Sequence, residues 1–443
     1  MEEIRELLET KQYTRLRQKL TELYDADIAQ VLEEIPEEDI IKVFRILPKS
    51  KAADVFSYLE VDHQHMIITS LSERDAANII NNMMADDAAD VFEEMPSNVV
   101  KKLLASADKS QRDEINHLLQ YPDSSAGSIM TVEYVDLKEG LTVAEALQRV
   151  RKVGMDSETI NTLYVLDKSR TLIGMLTLRR LLLAEPELTI GEIMTENVIS
   201  VRTMDDQEDV ARQFKKYDFT AMPVVDTENR LVGIITVDDI VDIMEEEVTE
   251  DIEKMAAILP TDKPYMKTGV FETWVKRIPW LLLLMVSATF TGSIIRRFED
   301  GLAACVVLTT FIPMIMDTGG NAGGQASVTV IRGLSLEEIT FKDFFRVVWK
   351  EARVAVVCGL TLAICNFGKL LLIDRVTVEV ALVVCLTLVV AVFVAKIIGC
   401  TLPLLAKKVG FDPAVMASPF ITTIVDALSL IAYFSIATAL LGI

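Results

Sequence analysis

Asp426 stands near the middle of an apolar run from Pro413 to Leu440. A carboxylate at that depth in a membrane-length segment costs at least about 2.5–3.5 kcal/mol, so it normally faces a water-filled path or a partner charge. At helical spacing Ser418, Thr422 and Ser429 share its face, while Val415, Phe420, Ile424, Leu428 and Ile431 point elsewhere. Oxygen-bearing side chains around one acid, with no fixed cation among them, suit a hard metal ion in transit. The competing reading has Asp426 neutralise a lysine on another helix. Lys396, inside the preceding apolar segment, is the lysine that would do so.

Carboxylates also concentrate away from that segment. Asp86, Asp87 and Asp90 form a dense group, and Asp86 and Asp90 are one helical turn apart. Like charges at that spacing repel unless a cation lies between them or water solvates the face. A longer run holds Asp238, Asp239, Asp242, Glu245, Glu246, Glu247, Glu250 and Asp251, with Asp239, Asp242 and Glu246 on one helical face. Divalent cations bridge such faces through oxygen ligands, and magnesium often keeps its waters. The alternative for this run is a solvated linker. His63, His65 and His117 are scattered, and the first two lack a visible third ligand, so no transition-metal site is expected. All five cysteines lie beyond residue 300, leaving neither a disulfide framework nor a thiolate zinc site in the first part. With no phosphate-binding loop, catalytic triad or His/Cys ligand cluster, neither an enzyme nor an ATP-driven pump is expected.

The elements that must position these groups divide sharply by charge. Residues 1–269 carry 54 acids and 30 bases, a net of −24; residues 270–443 carry 12 acids and 14 bases, a net of +2. The first part reads as soluble and acidic, which argues against nucleic acid as a partner. The second carries five apolar stretches long enough for a ~30 Å bilayer core. They run near Ile278–Ile295, Leu302–Ile331, Val347–Ile373, Val378–Leu405 and Pro413–Leu441. Met1–Leu20 is charged and has no secretory apolar segment, so a cytoplasmic start is expected. Five spans then put the C-terminus outside. Lysine and arginine agree, with nine on the inner flanks against four on the outer.

Two internal repeats organise the soluble part. Ala52–Phe56 and Ala88–Phe92 both read AADVF, among short helices broken by Pro36, Pro48 and Pro96. This predicts a solenoid-like α-helical N domain over residues 1–122. In residues 123–250, Ser128-Ile129-Met130-Thr131 is echoed by Glu192-Ile193-Met194-Thr195, and Gly174-Met175-Leu176-Thr177 by Gly233-Ile234-Ile235-Thr236. A helix and a β-rich stretch lie between each opening and closing string. This order resembles a tandem pair of α/β CBS domains. The resemblance implies an adenosine nucleotide such as ATP as a regulatory ligand, with Phe219 over the adenine, Asp238 at the ribose and Arg179 near the phosphates. A connecting segment, 251–277, leads to an all-α membrane domain of five transmembrane helices, 278–443.

In this order the parts resemble the MgtE family of magnesium channels over nearly the whole chain. The most specific strings are Asp317-Thr318-Gly319-Gly320-Asn321-Ala322-Gly323-Gly324-Gln325 and Asp412-Pro413 followed by Ser418-Pro419 and Thr422-Thr423-Ile424-Val425-Asp426. The resemblance implies a homodimer in the plasma membrane of a bacterium, with the pore on its two-fold axis. Asp426 would bind hydrated Mg2+ there, and Ser418, Thr422 and Ser429 would line the path. Ser418 stands where some members carry asparagine. The resemblance also assigns Mg2+ sensing to Asp54, Asp86, Asp90, Asp206, Glu208, Asp218, Asp239, Asp242, Glu247, Glu250 and Asp251. Ions bridging these acids would hold the dimer compact and the pore shut, and their loss would open it. Mg2+ would then enter down its electrochemical gradient, driven by about 2.3 kcal/mol per charge per 100 mV.

Two other readings remain open at this stage. One is a CBS-regulated carrier or channel for another divalent cation or an anion; an anion path would place positive groups at mid-membrane, where Lys396 is the candidate. A nucleotide-sensing receptor without transport gives no reason for the polar stripe around Asp426.

Overall fold

The AADVF repeat shows how the sequence builds the first part of the chain. Ala53, Val55, Phe56, Ala88, Ala89, Val91 and Phe92 are all buried, whereas Asp54 and Asp90 face outward at equivalent positions. Each copy is thus a short amphipathic helix, Lys49–Ser57 and Ala85–Glu93. Pro36, Pro48 and Pro96 sit at the residue before a helix with φ near −57°, where a missing N–H costs nothing. The computed structural model describes residues 2–261, 265, 266, 268–416 and 418–442. It divides into two compact units, Met1–Met244 and Glu245–Ile443.

In the first unit a run of short helices, from Glu2–Glu9 to Lys109–Leu118, precedes two three-stranded sheets. One core runs from Leu16 and Leu20 through Phe56 and Phe92 to Phe214, Met222 and Ile235. The helical part and the second α/β repeat therefore share their apolar interior. Strands β1 (Tyr134–Lys138), β2 (Thr159–Leu166) and β3 (Leu172–Thr177) form the first sheet, parallel then antiparallel. Strands β4 (Val201–Arg202), β5 (Ala221–Val225) and β6 (Leu231–Thr236) repeat that pattern.

The two repeats are interlocked by their matching strings. Thr131 exchanges backbone hydrogen bonds with Ile234 at 2.8 and 2.9 Å, and Thr195 does so with Met175 at 2.8 and 3.0 Å. The opening of each copy thus pairs with the closing strand of the other. Side chains are excluded at Gly233, where a Cβ would stand 2.7 Å from the Thr131 carbonyl oxygen, and crowded at Gly174, where one would stand 2.5 Å from Met194 Sδ.

The second unit is helical. Among the described residues, four helices are long and apolar enough to cross a membrane: Val270–Arg297, Phe341–Leu372, Val378–Val409 and Pro413–Leu441. The expected span at Leu302–Ile331 takes a different form. The helix breaks at Cys305, passes through a 3-10 turn at Val306–Phe311 and resumes as Ile312–Ser335. Asp317, Asn321, Gln325 and the glycines dilute its apolar character, and it is held by packing against its neighbours instead. Tyr433 donates to the Leu308 carbonyl at 2.9 Å, pinning the broken segment to the last helix.

Candidate cation sites

Within the first unit the structure gathers acids that are distant in sequence. Asp86 and Asp87 lie in the first turn of the Ala85–Glu93 helix, and Asp238 and Asp239 in that of the Val237–Met255 helix. Glu133 follows the first opening string, and its Oε1 accepts the Ala85 N–H at 3.0 Å, fixing the helix start beside the sheet. Glu158 immediately precedes β2 and donates its N–H to the Glu133 carbonyl.

Burial and mutual repulsion set the electrostatics of this group. Burial pushes Asp86 well above the ordinary carboxylate range, and Asp87, Asp239 and Glu133 add to the rise. Asp87 is pushed up to about 6, by burial and then by Asp239, Asp54, Glu133 and Asp238. Glu158 is pushed up to about 7, by burial and then by Asp238, Asp239, Asp87 and Glu133. Asp239 is raised by burial, although the Thr236 hydroxyl donates to it at 2.8 Å. The Asp54 carboxyl, on the outer side of its helix but partly covered, is raised as well, by that partial burial and by Asp25, with Lys51 working against them. Desolvated carboxylates facing one another are costly unless protons or cations join them.

Several expected ligands stand elsewhere. Asp90 is exposed, and Asp87 is the carboxylate of this helix that adds to the rise of Asp86. Asp206 caps the Gln207–Tyr217 helix by accepting the Glu208 N–H. The Glu208 carboxylate pairs with Arg212 at 3.0 Å, and Asp218 ends that helix in a left-handed conformation, exposed. Asp242 is exposed beside Asp239, whose rise it reinforces. The three residues named for nucleotide binding also have defined places. Arg179 is exposed at the start of the Leu178–Leu183 helix, Phe219 stacks on Tyr217 with ring centroids 5.4 Å apart, and Asp238 joins the acidic group.

In the second unit, glycines bring the Asp317 turn against the last helix. A Cβ on Gly319 would stand 2.9 Å from Val425 Cγ1, and one on Gly320 2.7 Å from Thr422 Cγ2. Backbones approach that closely only over small residues. Asp426 is partly buried and near enough to Asp317 for the two carboxylates to repel each other. Among the described residues no lysine or arginine pairs with Asp426. Lys396 pairs instead with Glu351, at 3.7 Å. Thr422 is half-buried and donates to the Pro419 carbonyl at 2.9 Å. Ser429 is 1% exposed, with its Oγ 3.1 Å from where a Gly319 Cβ would be, so within one chain it faces the neighbouring helix and not open space. The Ser418 side chain lies outside the described residues. Glu247 is half-buried, Glu250 pairs with Lys254 at 2.7 Å, and Asp251 Oδ2 is 3.5 Å from Ser335 Oγ.

Asp87, Glu133, Glu158 and Asp317 were not foreseen as site residues. Asp87 and Asp317 sit inside strings already marked by their density of acids or glycines. Glu133 and Glu158 carry no repeat or spacing signal, and only the sheet brings them together.

Comparison with known proteins agrees with this layout. Residues 23–124 match the MgtE intracellular N domain, 126–187 and 190–246 the CBS domain, and 312–436 the MgtE divalent cation transporter model. The magnesium transporter MgtE of Thermus thermophilus is 40% identical over 75% of this chain and 74% of its own length. The chain belongs to the MgtE family. The MgtE magnesium transporter of Bacillus subtilis is 39% identical, over 76% of this chain and 74% of its own length. Among solved structures, the cytosolic domain of the Mg2+ channel MgtE in complex with ATP is 38% identical, with a TM-score of 0.52, covering 54% of this chain and 98% of that one. The soluble part of a magnesium transporter is 32% identical, with a TM-score of 0.53, covering 55% and 96%. Membership places the chain among multi-pass membrane transporters and outside the enzymes. The MgtE transporter match takes in both Asp317 and Asp426, and the N-domain match takes in Asp54, Asp86 and Asp87.

Proposed function

We propose that this chain forms a homodimeric Mg2+ channel in the bacterial plasma membrane, with its N-terminus in the cytoplasm. The observation that carries the reading is Asp426: a carboxylate inside an apolar helix, close to Asp317 and without a cationic partner among the described residues. Two copies across a two-fold axis would present a charge matched to one divalent ion. Magnesium dehydrates reluctantly, so it would pass with most of its waters, held by these acids and by hydroxyls such as Thr422. Flow would follow the electrochemical gradient.

Closure by internal Mg2+ is the second half of the proposal. The carboxylates of Asp86, Asp87, Glu133, Glu158, Asp238 and Asp239 repel one another in the first unit, and hydrated Mg2+ bridging them would stabilise one arrangement of the cytosolic part. The later acids of the Val237–Met255 helix, Glu247, Glu250 and Asp251, would carry that state toward the membrane helices. ATP, present in the relative's solved cytosolic domain, would act here as a regulatory ligand at Phe219, Arg179 and Asp238.

Mg2+ uptake into proteoliposomes tests the reading. Native chains should load Mg2+, and Asp426→Asn and Asp426→Ala should each lose the flux while staying dimeric. Asp317→Asn should lower flux severalfold without abolishing it. Full flux in Asp426→Asn would remove the carboxylate from the path and overturn the proposal.

A further inference from the structure

His63, Glu60 and Glu33 meet at the start of the Val61–Ser70 helix, away from the acidic group described above. One ring nitrogen of His63 and one oxygen from each carboxylate all lie within 4.8 Å of one another. Two ligands each about 2.1 Å from one ion stand at most about 4.2 Å apart. Closing the set therefore needs only small side-chain rotations.

The backbone holds these three residues in place. Glu60 directly precedes the helix, and the His63 N–H donates to its carbonyl at 2.9 Å, so both side chains leave the same first turn. Glu33, in the last turn of the Asp25–Glu34 helix, accepts the Glu60 backbone N–H through Oε1 at 3.3 Å. The neighbouring Gln64, 4% exposed, donates to the Phe56 carbonyl at 3.0 Å and pins the helix start. His63 Nδ1 is shielded from water and has no hydrogen-bond partner among the described residues. A buried ring nitrogen normally has one, and a metal bound by this set supplies what the protein does not.

We propose that Glu33, Glu60 and His63 form a binding site for a borderline transition-metal dication of the Zn2+ or Co2+ class. An imidazole with two carboxylates is the donor set such ions prefer, with a water completing the shell. Magnesium prefers oxygen alone and keeps its own waters. The site thus differs in kind from the all-carboxylate group at Asp86, Asp87 and Asp239. His65, two residues along the helix, is not among these three residues.

The full-length chain in detergent micelles, stripped with a chelator and returned to millimolar Mg2+, provides the test. Zn2+ is titrated against a chromophoric chelator, and Co2+ is added separately to read its visible absorption bands. The native chain should bind one Zn2+ that millimolar Mg2+ does not displace. His63→Ala and Glu60→Gln should each weaken it by more than the 10–100-fold typical of losing an outer-shell partner, and His63→Ala should abolish the nitrogen-dependent Co2+ bands. His65→Ala should bind as the native chain does. Glu33→Gln keeps an acceptor for the Glu60 N–H, so it separates loss of a ligand from loss of the fold. Equal Zn2+ affinity in the native, His63→Ala and Glu33→Gln chains would overturn the proposal, as would one-for-one displacement of Zn2+ by Mg2+.

Discussion

Lys396 Nζ lies 3.7 Å from Glu351 Oε2, and both side chains are almost wholly withdrawn from solvent. The pair joins the Phe344–Leu372 helix to the Val378–Val409 helix. It accounts for the one lysine deep within an apolar span and leaves Asp426 without that partner. Breaking a buried ion pair from one side costs about 3–5 kcal/mol, whereas replacing both partners with neutral groups is often nearly free. Lys396→Met and Glu351→Gln should each lower the thermal midpoint in micelles by several degrees, and the double variant should recover most of the loss. Mg2+ flux should survive in the double variant. Lost flux in a double variant that melts like the native chain would show that the pair serves transport directly.

The acidic group of the first unit should make metal-free stability depend on pH. Asp86, Asp87, Asp239 and Glu158 all titrate higher in the folded chain than in the unfolded one. A carboxyl shifted upward binds its proton more tightly when folded, so its stabilising contribution is complete below about pH 4 and lost as pH rises through about 6 to 7. For Asp87 alone the rise to about 6 is worth about 3 kcal/mol. Without metal, hydrogen exchange in the Ala85–Glu93 helix should therefore quicken between about pH 5 and pH 8. Added Mg2+ should restore protection and release protons near neutral pH. Asp87→Asn should flatten the pH dependence and weaken the Mg2+ effect. Exchange that slows with rising pH, after correction for intrinsic rates, would contradict the assignment.

Close helix approach in the second unit also predicts the cost of adding one carbon. A Cβ on Gly323 would stand 2.8 Å from Ile421 Cγ2 and 3.2 Å from the Ala395 carbonyl oxygen, and a Cβ on Gly399 would meet the Gly323 backbone. Backbone cannot rotate away as a side chain can. Gly399→Ala should destabilise the helical unit by about 1–3 kcal/mol, read as a lower midpoint in micelles. Gly368→Ala, with open space around the new carbon, should melt like the native chain.

The sequence displays what is repeated or periodic, and the structure adds what only folding brings together. AADVF, the paired opening and closing strings and four of the apolar spans are local patterns, so their elements are readable in order along the chain. Asp426 is readable because a charge inside an apolar run is conspicuous. The broken Leu302–Ile331 stretch is not, because its composition averages to apolar while its break at Cys305 depends on packing. Ser429 shares Asp426's face at helical spacing but meets Gly319, a contact no spacing rule reveals. Glu133, Glu158 and Glu33 sit among ordinary surface acids in sequence. Their neighbours come from other elements, which is why the His63 set and half of the acidic group emerge only in three dimensions.

Lys254 links the end of the Val237–Met255 helix to the entry of the last span. Its Nζ lies 2.7 Å from Glu250 Oε1 and 2.7 Å from Asp412 Oδ2, while Asp412 Oδ1 accepts the Ala414 N–H at 2.8 Å. Burial works against the Lys254 charge, yet hydrogen bonds from Lys254 to Asp412 and Glu250 hold its proton above the ordinary lysine range. One lysine therefore ties a helix that carries proposed sensor acids to the turn that starts the Asp426 helix. The pair is partly exposed, so it is worth about 1 kcal/mol. If the tie belongs to the closed state, its loss shifts the Mg2+ level for closure upward by about fivefold, since 1.4 kcal/mol corresponds to tenfold. Lys254→Ala should leave maximal uptake intact while flux persists at internal Mg2+ that silences the native chain. Asp412→Asn keeps the Ala414 bond and should show the same shift, and the double variant should add little to either single. An unchanged closing level in Lys254→Ala would separate this contact from gating.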